Sequence, residues 1–141
     1  MTTAIDELVD NFALFDDWEE RYRYLIDLGA QLPPMDEALK TPASKVQGCM
    51  SQVWMVAGWD GEGRLTLLAD SDAQIVRGLI AVLVAAFSGC TRGEILATDI
   101  DAVFKKLGLD QHLSPNRRNG FFSMVERVQQ FASGNPAAGR A

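Results

Sequence analysis

Three side chains in this 141-residue chain carry the softest nucleophilic or metal-binding chemistry, namely Cys49, Cys90 and His112. Cys49 lies in the run Gln47-Gly48-Cys49-Met50-Ser51-Gln52-Val53-Trp54, where an irregular stretch meets the first clear strand pattern. A side chain at such a junction can be presented without belonging to either face of a sheet. A thiol of ordinary pKa is only about 3% thiolate at pH 7, and lowering its pKa to about 7 raises that to about half, less a loss of intrinsic nucleophilicity. Lys45 and the amide N–H groups of the preceding turn are the local features able to favour the thiolate. Position alone suits a nucleophile and a buried structural thiol equally well.

The other candidates point elsewhere. Cys90 sits between Gly89 and Thr91 at a helix junction with Arg92 as its near basic neighbour, which is the setting of a structural thiol. A Cys49–Cys90 disulfide is compatible with the sequence, although a reducing compartment opposes it. His112 precedes the helix start Leu113-Ser114-Pro115 and reads as a polar helix-start residue before it reads as a base. With two cysteines and one histidine, a four-ligand zinc or cluster site built from those types alone is excluded by count. No metal or cofactor site is expected. The glycines at 58, 61, 63, 89 and 93 follow neither the Walker nor the GxGxxG pattern, so turn and cap chemistry accounts for them. Arg117-Arg118 lie near the positive end of a helix, which they do not stabilise, so they are either a solvated basic point or used elsewhere.

A net charge of -6 and a pI near 4.7 oppose binding to nucleic acid or anionic lipid. No apolar run approaches the ~20 residues of a membrane span, and Met1 to Asp10 lacks a secretory pattern, so a cytoplasmic protein is expected. At 48% apolar residues, the length supports one core. One domain over 1–133 with a mobile tail at 134–141 is the expected organisation.

The positioning elements follow from periodicity. Ile5, Leu8, Val9 and Phe12 mark a short helix behind Thr2 and Thr3. Asp16 and Asp17 then open a second helix that Gly29 can end. From Ala30 to Gly48 the pattern disappears around Pro33, Pro34 and Pro42, with at most one turn at Asp36 to Lys40. Val53 to Trp59 and Leu65 to Ala69 form a hairpin around Asp60-Gly61-Glu62-Gly63, and Lys45 to Gln47 can add a short third strand. Ser71-Asp72-Ala73-Gln74 has capping-box spacing before a mostly apolar helix to Phe87. Further helices start at Thr91, near Ile100 (closed by Gly108) and at Ser114-Pro115. The result is an α/β (α+β) fold, with helices packed around a small antiparallel sheet.

Several ordered blocks then resemble the SufE family of sulfur-acceptor proteins. They are Trp18-Glu19-Glu20-Arg21-Tyr22 with Leu28-Gly29, Gln47-Gly48-Cys49 with Ser51-Gln52-Val53-Trp54, Asp70-Ser71-Asp72, Ile75 to Val82, and Leu113-Ser114-Pro115-Asn116-Arg117 with Gly120. Cys90 falls where the family has no motif cysteine. The resemblance implies a fold similar to IscU-type scaffolds. It also implies that Cys49 takes persulfide sulfur from a cysteine desulfurase of the SufS or CsdA type, stimulates that enzyme, and hands the sulfur to an iron–sulfur assembly scaffold. The protein would then be no enzyme itself, and the pyridoxal phosphate would belong to the partner. Beside Cys49, Lys45, Gln47, Gly48, Ser51, Gln52, Asp72, Arg77 and Arg117 are the candidates for orienting the loop or touching the desulfurase. An iron–sulfur scaffold and a non-catalytic interaction module are the competing readings.

Overall fold

The apolar spacing of the first segment produces α1 (Ala4–Ala13), which sends Leu8 and Phe12 into the core. The computed structural model describes residues 4–46 and 52–134, so Thr2, Thr3 and the tail from 135 onward lie outside the described residues. Helix α2 (Trp18–Ala30) begins at Asp17, whose Oδ1 accepts the Glu20 N–H at 2.8 Å. It runs through Gly29 instead of ending there. The reason is a close helix crossing: a Cβ on Gly29 would lie 2.6 Å from the Gly78 nitrogen, and one on Gly78 would run into the Leu25 carbonyl. The two glycines let two backbones touch where any side chain would hold them apart.

Strands β1 (Val53–Trp59) and β2 (Leu65–Ser71) pair antiparallel, from Val53 opposite Ser71 to Trp59 opposite Leu65. The period of two sends Val53, Met55, Leu65 and Ala69 into the core and leaves Trp54, Val56 and Leu68 half-buried on the outer face. In the turn, Asp60 Oδ1 accepts the Glu62 and Arg64 N–H groups at 2.8 and 3.0 Å, and Gly63, at φ 75°, is the glycine that takes the left-handed conformation. The expected third strand is reduced to a bridge between Lys45 and Trp54, and Gln47 lies outside the described residues.

Helix α3 (Gln74–Phe87) crosses the sheet and α2, burying Ile75, Leu79, Ile80, Val82, Leu83 and Phe87. The capping box expected over 71–74 does not form, because Ser71 is the last residue of β2; the helix starts after Ala73 without a side-chain cap. Ser71 Oγ instead accepts the Ala73 N–H at 3.2 Å. Thr91 and Glu94 do form a capping box at α4 (Arg92–Ala97). Helix α5 (Ile100–Lys106) gives way at Gly108, φ 75°, to α6 (Leu109–His112), a single turn that the sequence pattern does not separate. Ser114 caps α7 (Pro115–Ala132), with Pro115 in its first turn. Leu25, Val53, Leu79, Phe87, Phe104, Phe121 and Val128 belong to one contiguous apolar cluster. Each such side chain contributes about 1.5–3 kcal/mol by leaving water. Among the described residues, no helix is long and apolar enough to cross a membrane.

Candidate functional site

Cys49, with Gln47, Gly48 and Ser51, lies outside the described residues, and the site is built from the two flanks of that segment. On the upstream side the Val46 N–H donates to the Val53 carbonyl and the Met55 N–H to the Ser44 carbonyl, both at 2.8 Å. These bonds join the chain before Cys49 to the strand after it. Ser44 is fully buried; its hydroxyl donates to the Leu39 carbonyl at 2.6 Å and accepts the Thr41 N–H at 3.0 Å. A buried hydroxyl with both roles filled is a stable pin for an irregular segment. Arg127 on α7 adds two bonds, Nη2 to the Ala43 carbonyl at 2.7 Å and Nη1 to the Lys45 carbonyl at 2.8 Å.

On the downstream side, Asp72 Oδ1 accepts the Gln52 N–H at 3.1 Å and the Asp72 N–H donates to the Gln52 carbonyl at 3.3 Å. Of the sequence-derived candidates, Gln52 and Asp72 are thus brought together. Lys45 joins them through its backbone, which bridges to Trp54, while its side chain is exposed. Arg77 is turned to Asp70: its Nε lies 3.1 Å from Asp70 Oδ1, an ion pair without hydrogen-bond alignment. Arg117 Nη1 donates to the Tyr22 hydroxyl at 3.4 Å, and Arg118 Nη2 to the Asp110 carbonyl at 3.0 Å. His112 stacks on Trp18 with ring centres 4.4 Å apart. Among the described contacts, Arg77 and Arg117 meet neither Val46 nor Gln52.

Asp70 and Lys40 were missed. Lys40 Nζ sits 3.2 Å from Asp70 Oδ2, 3.1 Å from Glu37 Oε1 and 5.1 Å from the Trp54 ring centre. Hydrogen bonds to Glu37 and then Asp70 raise the Lys40 pKa above its ordinary value. The available signal was the register: Asp70 falls on the outer face of β2 opposite Trp54, where a carboxylate among apolar neighbours calls for a cation.

Cys90 is a free, partly buried thiol whose Sγ lies 3.5 Å from the Ala86 carbonyl. Burial first and Glu94 second push its pKa up, against a weaker opposing effect of Arg64. It is therefore protonated at neutral pH and a poor nucleophile. Among the described residues no group of three or more His, Cys, Asp or Glu is arranged to hold a metal ion.

Comparison with known proteins identifies the family of the chain. The family model described as "SufE: Fe-S metabolism associated domain" matches residues 6–132. An uncharacterized SufE-like protein of Rhizobium meliloti (strain 1021) is 47% identical over 135 residues, which cover 94% of this chain and 96% of that one. A second SufE-like protein, from Rhizobium etli, is 45% identical over 138 residues, covering 96% and 93%. In fold, the chain is similar to the solution structure of a hypothetical protein from Thermus thermophilus, with a TM-score of 0.76 at 19% identity over 95% of this chain and 97% of that one. The chain belongs to the SufE family, whose domain is associated with iron–sulfur metabolism.

Proposed function

We propose that this protein is a sulfur carrier: Cys49 accepts persulfide sulfur from a cysteine desulfurase, stimulates that enzyme, and delivers the sulfur to iron–sulfur cluster assembly. The observation that carries the reading is the fixed frame on both sides of the short segment containing Cys49, closed by the Val46–Val53 bond upstream and the Asp72–Gln52 pair downstream. A relay thiol has to enter a partner's pocket from a stable base, because docking two rigid bodies with the reacting atoms aligned lowers the entropic barrier to transfer.

In the transfer step, the Cys49 thiolate attacks the outer sulfur of the desulfurase persulfide. The new S–S bond forms on Cys49, the old one breaks, and the desulfurase cysteine leaves as a thiolate. One sulfur moves with no net oxidation or reduction, and the negative charge returns to the donor cysteine. The desulfurase is of the SufS or CsdA type and holds the pyridoxal phosphate; the carrier needs no cofactor and completes no turnover of its own. A second exchange passes the sulfur to an assembly scaffold. The cytoplasm, where thiols are kept reduced, suits such a relay.

The stimulation is tested by measuring alanine release from cysteine by a desulfurase of that type. Added wild-type protein is expected to raise the rate at least several-fold and Cys49→Ser to leave it at the basal value. Equal stimulation by both would reject the proposal.

A further inference from the structure

Helix α7 bears on both ends of the hairpin. Phe131 stacks on Trp59 at the turn end, with ring centres 5.1 Å apart, and Arg127, one turn earlier, reaches the segment at the other end. Arg127 flanks the apolar stripe of Met124, Val128 and Phe131 and is itself partly buried. Burial lowers its pKa from the ordinary arginine value, and among the described residues no carboxylate forms an ion pair with it. Both of its described bonds go to neutral carbonyls, those of Ala43 and Lys45, which bracket the buried Ser44. A planar guanidinium fork suits two acceptors held at a fixed separation, whereas the single ammonium of lysine does not hold two carbonyls in the same rigid geometry. Partly withdrawing a cation from water to bind backbone that has no charge of its own makes sense where the position of that backbone matters. Ala43 to Val46 is the stretch that leads into the Cys49 segment.

We infer that Arg127 is a positioning residue for sulfur transfer, a clamp from α7 that fixes the root of the Cys49 segment so that the thiol meets the desulfurase persulfide in line. The inference rests on the sulfur-carrier reading above. The clamp acts on how Cys49 is aimed once the proteins have docked, so its loss lowers the maximal rate and leaves the concentration dependence in place.

The test compares wild type, Arg127→Lys and Arg127→Gln with a cysteine desulfurase of the SufS or CsdA type. Persulfide formation on the carrier is followed against carrier concentration, and native-state hydrogen exchange is followed at the Val46 and Met55 amides. Expected are a maximal rate lowered about tenfold in Arg127→Gln and by less in Arg127→Lys, with half-saturation within about twofold of wild type. Exchange at Val46 and Met55 should be at least tenfold faster while the α3 amides are unchanged. If Arg127→Gln does not fold, Arg127→Lys carries the same comparison. A folded variant with an unchanged maximal rate, or one whose loss lies wholly in half-saturation, overturns the clamp while leaving the carrier reading intact. A wild-type protein that accepts no sulfur overturns both.

Discussion

Asp72 and Gln52 hold each other twice, the carboxylate accepting the Gln52 amide at 3.1 Å and the Asp72 amide donating to the Gln52 carbonyl at 3.3 Å. The pair links the start of the core helix to the residue at which the Cys49 segment ends. Asp72→Ala removes one of the two bonds from an exposed site, a loss of about 1 kcal/mol or less. Its expected signature is local: iodoacetamide alkylates Cys49 several-fold faster while the melting temperature changes little. Unchanged alkylation would show that this pair does not restrain the segment.

The crossing of α2 and α3 offers a sharper stability test. Gly78→Ala places a methyl group against the Leu25 carbonyl in a buried backbone contact and should cost about 1–3 kcal/mol or more in urea unfolding. Gly93, inside α4 with open space around it, is the control. Gly93→Ala should be neutral or stabilising by about 0.5–1 kcal/mol, because alanine favours the helix.

Two carboxylates make stability depend on acid. The Arg64 and Glu62 amides hold the Asp60 carboxyl below its ordinary pKa, and the Thr91 amide and hydroxyl do the same for Glu94. A carboxyl depressed in the folded state stabilises above its unfolded pKa, about 3.9 for Asp and 4.3 for Glu, and loses that contribution as pH falls through the lower folded value. The contribution of these two groups to the melting temperature should therefore be level above about pH 5 and decline below about pH 4. The double variant Asp60→Asn, Glu94→Gln should decline less steeply across that window, and an identical slope would contradict the assignment.

Cys90 should be chemically quiet. In Cys49→Ser it is the remaining thiol, and burial together with Glu94 keeps it protonated. Its reaction with a disulfide reagent at pH 8 is expected to be several-fold slower than that of a free cysteine peptide. Cys90→Ser should still accept sulfur. Loss of transfer in Cys90→Ser at unchanged stability would give Cys90 a part in the relay.

Local chemistry was legible wherever one element decides it. Ser114-Pro115 at the start of α7, the helix start at Thr91 and the hairpin turning at Asp60 to Gly63 all follow from neighbours in sequence. What escaped was set by contacts between distant elements. Gly29 has the look of a helix stop and is a crossing point because Gly78 meets it; Ser71 has capping-box spacing to Gln74 and ends β2 instead, where its hydroxyl accepts the Ala73 amide. Arg127, on a helix flank, has the pattern of a solvated charge, and only the fold brings Ala43 and Lys45 to it. For the site, the family blocks singled out Cys49 where spacing left a nucleophile and a structural thiol level, and the geometry added the frame on either side.

The central claim is most directly tested by intact mass. Wild-type protein incubated with a cysteine desulfurase and free cysteine, then measured with and without reductant, is predicted to gain one sulfur atom that reductant removes. Cys49→Ser is predicted to gain none. A wild-type mass that does not change, or a Cys49→Ser protein that gains sulfur as readily, would contradict the account.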